Sequence, residues 1–345
     1  MDIREFCRRL PKVELHAHLN GSIDNDTLYK LMDLYKAKHE ELPLEASDKS
    51  IYAIKQGETR TLAQCFDVFR AIHALTGSEE AISIVAKDVV QGFANDGVRY
   101  LELRTTPKDT PTSAEYVRTV IDALKTAQDK HQGAIVVRLI LSIDRRGSVE
   151  KALETVRIAA QNKPFVVGVD FSGDPTHKDA RDFQSAWDLA RQKDLKLAIH
   201  FAEIKNTEES LYIVNELKAD RIGHGCFMQD GVEDAVLKAQ IPLEICMSSN
   251  VMGQSVKDYD DHHFHDLYEK DYPCAISTDD MGVFSTTLSH EYAMAARKLD
   301  IPQPRIWDLS YRTIDFIFAE VEVKDQLREI WNSEKVLLAN SAKTG

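Results

Sequence analysis

The chain is poor in the features that settle a protein's class quickly, and each shortage excludes something. Its 345 residues hold only five cysteines, Cys7, Cys65, Cys226, Cys246 and Cys274. The set is odd and contains no CxxC pair, so no disulfide framework is expected and the thiols read as reduced, in the cytoplasm. No apolar run is long enough to span a bilayer, and the opening MDIREFCRRLPK is charged where a secretory signal would be apolar. Positive charge is in deficit, with 43 Lys+Arg against 56 Asp+Glu and a net charge of −13. That balance excludes a nucleic-acid surface and allows an anionic small substrate only where cations gather locally. Fifteen glycines and ten prolines are too few for a disordered or fibrous chain, whereas 43% hydrophobic and 29% charged residues suit a large buried core.

What is present is a repeating pattern. Short apolar, β-branched runs occur at 13–19, 98–106, 135–143, 165–173, 195–203, 221–226, 241–249 and 274–280. Helical periodicity fills most gaps, as in 113–131, 149–161 and 180–193. Strand alternating with helix implies a parallel sheet, and eight repeats predict an α/β protein of the (β/α)8 TIM-barrel class, one domain over residues 1–345. An open doubly wound sheet fits less well, because HLNGSID after the first run has a single glycine where that fold carries a glycine-rich turn. Roughly eighty residues separate the first run from the second, far beyond an ordinary connection. Within them, 24–41 and 61–77 are helical in pattern with a polar connector at 46–60 between them, so 24–95 reads as a helical lid insertion over the strand ends. Residues from about 288 to 338 read as helices that close the barrel.

In VELHAHLNGS (13–22), strand alternation projects His16 and His18 to the same side, a pleat apart. Two histidines do not make a metal site, so the other strand ends matter. A barrel gathers its reactive groups at the C-terminal rim. His200 and Glu203 close the fifth run, His224 the sixth, and Asp279 and Asp280 the eighth. His16, His18, His200 and Asp279 form a nitrogen-rich, oxygen-bearing set suited to Zn²⁺ with a position left for water, whose pKa such an ion lowers to about 7. Glu203 lies beside His200 and can act as the acid, and His224 with Asp280 can orient the attacking oxygen.

PKVELHAHLNGSI, VVGVDFSGD, AIHFAE, RIGHG and STDD resemble, in order and spacing, the adenosine deaminase family, from about Pro11 to beyond Tyr292. The resemblance implies a (β/α)8 barrel and one zinc per chain on His16, His18, His200 and Asp279. It implies that Glu203 protonates purine N1, that His224 and Asp280 handle the hydroxide, and that the Gly173 backbone contacts purine N3. Two departures stand out: Ala202 replaces a glycine usual before the glutamate, and Asn20 replaces a usual aspartate. Within the family, LNGSI, YLELRTTPK, LILSIDRR, HHFHDLY and STDDMGVFSTTLSHEY look like the adenosine deaminase-like branch, whose members deaminate N6-methyl-AMP. An aspartate at position 20 would repel a 5′-phosphate in a water-poor pocket, and asparagine removes that charge. Thr106, Lys108 and Arg145, near the ends of the second and third strands, are the expected phosphate partners. With His18, Asn20 and Gly173 they complete the expected substrate-contacting set.

The expected substrate is thus a small purine nucleotide, bound by a monomer with no nucleic-acid or membrane partner. The alternatives are an adenosine deaminase acting on the nucleoside, a binuclear barrel hydrolase, and an inactive nucleotide-binding barrel. The binuclear type is disfavoured because DFSGD ends the fourth run without a bridging lysine. The HHFH cluster of His262, His263 and His265 is read as a loop or helix start over the pocket, Arg104 as a buried paired cation, and Phe66 and Phe69 as purine cover or helix packing.

Overall fold

The computed structural model describes residues 1–39, 41–43 and 62–341. Helix α1 (Ile3–Arg9) leads into strand β1 (Lys12–His18). Helices α2 (Asn25–Lys38), α3 (Leu62–Leu75) and α4 (Glu79–Asn95) follow before β2 (Val98–Thr105). The alternation then becomes regular, with α5 (Ser113–Asp129), β3 (Val136–Asp144), α6 (Val149–Gln161), β4 (Val166–Ser172), α7 (Gln184–Gln192) and β5 (Lys196–Phe201). It continues with α8 (Thr207–Tyr212), β6 (Arg221–His224), α9 (Val232–Ala239) and β7 (Leu243–Ile245). Helices α10 (Met247–Met252) and α11 (Phe264–Glu269) precede β8 (Cys274–Ile276), and α12 (Leu288–Lys298), α13 (Gln303–Arg312) and α14 (Val321–Ser341) complete the chain.

The strands form one sheet in sequence order, β1 to β8, with parallel neighbours throughout. The seam is stitched just beyond β8: Asp279 N–H donates to the His16 carbonyl (2.7 Å) and His18 N–H to the Asp279 carbonyl (3.0 Å). Barrel closure therefore brings Asp279 beside the two histidines of β1. The TIM-barrel expectation holds. Polar caps mark where helices begin: Asp24, Ser78, Thr112 and Ser148 each accept a first-turn backbone N–H. Helices cover the sheet outside, which is why the strands read as near-continuous apolar runs. The barrel interior is unusual. Glu14, Glu102, Arg104, Asp170, Arg221 and Glu244 are fully buried there, where branched apolar side chains ordinarily fill the layers.

Two runs are shorter as strands than the sequence pattern suggests. The run 241–249 is strand only to Ile245, and from Met247 it is helix; a residue buried on all sides gives the same apolar signal in either state. The run 274–280 leaves the sheet after Ile276 and carries Asp279 at φ 62°. Helical pattern at 180–193 resolves into a 3-10 turn, Ala180–Phe183, followed by α7. The connector 46–60 and the Phe66 side chain lie outside the described residues. Among the described residues no helix is long and apolar enough to cross a membrane, and the five cysteines form no disulfide.

Candidate active site

At the C-terminal rim, one ligand atom from each of His16, His18, His200 and Asp279 lies within 4.8 Å of the others. His18 Nε2 and His200 Nε2 face each other at 3.1 Å. Asp279 Oδ1 is 3.4 Å from both His16 Nε2 and His18 Nε2. A tetrahedral shell with bonds of about 2.0–2.2 Å sets its ligand atoms about 3.4 Å apart, so these separations fit a zinc-sized ion. His16 Nε2 is buried with no hydrogen-bond partner, a state costly for a polar nitrogen unless a cation takes its lone pair. Burial pushes His18 down to about 3 and keeps it the neutral base that ligation requires. His16 is opposed by burial and by Arg104, yet Asp279 and Glu244 raise it to about 9: the local field is negative and attracts positive charge.

The opposite ring nitrogens are held by a buried ladder of charges. His16 Nδ1 meets Glu244 Oε2 at 2.6 Å, and His200 Nδ1 meets Asp170 Oδ1 at 2.8 Å. Arg104 joins the two carboxylates, bonding Glu244 and reaching Asp170 at 3.1 Å. Arg221 bonds the other oxygen of Glu244 (2.5 Å) and extends the ladder to Glu102 (2.6 Å). Burial alone would protonate Asp170 and Glu244. His200 with Arg104 for the first, and the two arginines for the second, instead hold them well below the carboxylate range. Arg104 is thus the buried paired cation expected of it. On β6, Gly223 makes room for the His16 ring: a Cβ there would sit 2.7 Å from His16 Cε1. Ser249 donates to Asp279 Oδ2 (2.5 Å), leaving Oδ1 turned toward the histidines.

Glu203, His224 and Asp280 line the same cavity. Glu203 Oε2 is buried without a partner, and burial, against His200 and Arg145, raises its pKa. Burial and then Asp279 hold Asp280 far above the carboxylate range, while burial and then His16 hold His224 far below the imidazole range. Three residues here adopt left-handed backbone without being glycine: Ala202 (φ 49°), His224 (φ 65°) and Asp279 (φ 62°). Strain of this kind gathers at functional sites.

Asn20, Thr106 and Gly173 also line the cavity. Gly173 has φ 98°, and a Cβ there would lie 2.6 Å from Asp144 Oδ1. The other two expected phosphate partners, Lys108 and Arg145, are not among the residues that line it. Arg145 is 2% exposed, stacks on Phe171 (4.4 Å to the centroid) and bonds Glu209 (3.3 Å) and the Lys178 carbonyl (3.2 Å). Lys108 donates to Thr76 Oγ1 at 2.9 Å, and burial lowers it to about 8. In their place Arg146, Arg70 and His73 line the cavity with Phe69, the last three from α3. Arg146 is held bidentately by Asp144. Arg145 and Arg146 lie in the turn just past β3, where strand alternation no longer holds, so the RR dipeptide does not show which arginine faces inward. His262 and His263 sit behind His224, the first through Asn250 and the second on the His224 carbonyl, and a further acidic–histidine cluster, His265 with Asp266 and Glu269, is exposed on α11.

The sequence profile named Adenosine deaminase matches residues 11–332. N6-Methyl-AMP deaminase-L of Xenopus laevis is 45% identical over 337 residues, 95% of this chain and 94% of that protein. N6-Methyl-AMP deaminase of Homo sapiens is 42% identical over 345 residues, 96% and 95% of the two chains. A crystal structure of Arabidopsis ADAL complexed with IMP superposes with a TM-score of 0.89 at 38% identity, covering 95% of this chain and 98% of that one. A profile match over nearly the whole length, on a barrel whose rim gathers three histidines and an aspartate beside a half-buried glutamate, shows that the chain belongs to the adenosine deaminase family.

Proposed function

We propose that this chain is a zinc-dependent aminohydrolase of N6-substituted purine nucleoside monophosphates, converting N6-methyl-AMP and water to IMP and methylamine. The observation that carries the reading is the meeting of four metal-ligating atoms within 4.8 Å with the unpartnered, buried Glu203 carboxyl in one cavity. His16, His18, His200 and Asp279 would hold one zinc per chain, and the ion would supply a Lewis acid that makes water nucleophilic near neutral pH. Glu203, raised by burial, keeps the proton that purine N1 needs as the oxygen adds to C6. Asp280 and His224 would orient the attacking oxygen, and the Gly173 backbone would contact purine N3. The cavity lining includes Arg70, Arg146, His73 and Thr106 but no aspartate at position 20, which favours a 5′-phosphate over a nucleoside's hydroxyl. Helix α3, which supplies Arg70 and His73 to that lining, supports the reading of 24–95 as a lid within one barrel. The free cysteines fit a cytoplasmic setting, and the monomer stays part of the proposal.

Turnover of N6-methyl-AMP, AMP, N6-methyladenosine and adenosine, followed by the purine ultraviolet change, tests the reading. Preference for the methylated nucleotide supports it. Equal turnover of adenosine makes the chain a nucleoside deaminase, and no turnover of any purine overturns the reading.

A further inference from the structure

The HHFH stretch (262–265) takes no part in the chemistry above, yet it lies directly behind it. The Phe264 backbone N–H donates to His262 Nδ1 at 3.1 Å. A backbone N–H is a donor whatever the protonation of its neighbours, so Nδ1 must offer a lone pair. Burial holds His262 far below the ordinary imidazole range, and a neutral ring with a lone pair on Nδ1 carries its proton on Nε2. That nitrogen is 3.2 Å from Asn250 Oδ1, where N–H donates to carbonyl. The Asn250 NH2 group then points the other way, to His224 Nδ1 at 3.1 Å. The opposite amide orientation would press two donors together at His262. His224 Nδ1 accepts, and its proton sits on Nε2, which makes no hydrogen bond to any described residue. His263, stacked on His262 with centroids 4.3 Å apart, bonds the His224 carbonyl at 2.7 Å, where the backbone is left-handed at φ 65°. Adjacent histidines thus hold both the ring and the backbone of His224.

We propose that His262, acting through Asn250, is a positioning residue that fixes His224 as its Nε2–H tautomer. His224 then meets the reacting oxygen as a hydrogen-bond donor and not as its base. This deepens the deaminase reading and rests on it for the kinetic consequence, but not for the tautomer. No element of the relay requires the ion: its direction is set by one backbone N–H and transmitted through three side chains.

The test uses the full-length, zinc-loaded protein with ¹⁵N-histidine labelling, in which ring-nitrogen shifts identify the tautomer of each histidine. The parent should show His224 with a protonated Nε2 and an unprotonated Nδ1. Asn250→Asp replaces the donor with an acceptor and should reverse the tautomer. A wrong histidine tautomer in a catalytic site costs up to about 10⁴ in rate, so kcat should fall at least about 100-fold while KM stays within a few-fold. His262→Leu lets the amide turn and should lower kcat at least about tenfold. His262→Gln, which keeps a donor at the Nε2 position, should recover most of that loss. The His262 pair decides the matter if Asn250→Asp does not fold. A parent His224 protonated on Nδ1, or unchanged kcat in both Asn250→Asp and His262→Leu, overturns the proposal. A parent inactive on all four purines with the Nε2–H tautomer in place overturns the deaminase reading alone.

Discussion

Glu244→Gln is a near-isosteric change at the centre of the buried ladder, and its cost can be worked out from the bonds it alters. One oxygen of Glu244 accepts from His16 Nδ1 (2.6 Å) and from Arg104; the other accepts from Arg221 Nε (2.5 Å). Glutamine offers one carbonyl oxygen and one NH2. If the oxygen serves His16 and Arg104, the NH2 opposes the Arg221 N–H; in the reverse orientation it opposes His16. Either way a fully buried cation loses its carboxylate, which costs about 3–5 kcal/mol. For 345 residues at about 2.1 cal/mol/K each, the unfolding entropy is about 0.7 kcal/mol/K, so Tm should fall by about 4–7 °C. Zinc affinity should fall about 10–100-fold, because a neutral amide oxygen or an opposed NH2 replaces the carboxylate that orients the His16 ring and strengthens it as a ligand. Calorimetry on the metal-free protein reads the first effect, and competition between the protein and a zinc chelator reads the second. A Tm unchanged within about 1 °C together with zinc affinity unchanged within about two-fold would refute the ladder as a support for the metal site.

Glu203→Gln should retain zinc but lose at least about 10²–10⁴ in kcat, since an amide of equal size has no proton to give; metal analysis beside steady-state kinetics checks both halves. Because burial raises the pKa of Glu203, its protonated form persists toward neutral pH, and the kcat profile should fall as pH rises through that raised value. Asn20→Asp should lower kcat/KM for N6-methyl-AMP by at least about tenfold through repulsion of the phosphate, with less harm to nucleosides; comparable losses on both substrates would remove the phosphate from this end of the cavity. Arg146→Ala should raise KM for the nucleotide selectively, whereas Arg145→Ala should mainly lower Tm, because Arg145 is committed to Glu209 and Phe171.

Much of this protein is written in local pattern. The eight β-branched runs, the helices between them and the histidines, glutamate and aspartates at the run ends are all short-range features. A barrel converts their position along the chain into position at one rim. That conversion requires only that strands be parallel and in order, so HAH, HFAE, GHG and STDD could be placed together before any coordinates. The limits were local as well. The 241–249 run is buried almost throughout, and such burial erases the period that separates strand from helix. Whether Arg145 or Arg146 faces the cavity depends on the course of the turn after β3, which no periodic pattern specifies.

What only the tertiary structure decided involves partners far apart in sequence. Glu244 supports His16 from 228 residues away, and Asp170 supports His200 from 30. In sequence each is one acid inside an apolar run, indistinguishable from a strand-edge charge. Arg70 and His73 reach the cavity from an insertion helix whose docking no periodicity specifies. His262 gains its meaning from Asn250 and His224, brought behind the rim by the ends of β6 and β7. Sequence determines which chemical groups the chain owns and the order in which a barrel presents them. Folding determines which of them are desolvated together, and in a water-poor interior that decides which nitrogen carries a proton, which carboxyl stays charged and which cation is left to meet a phosphate.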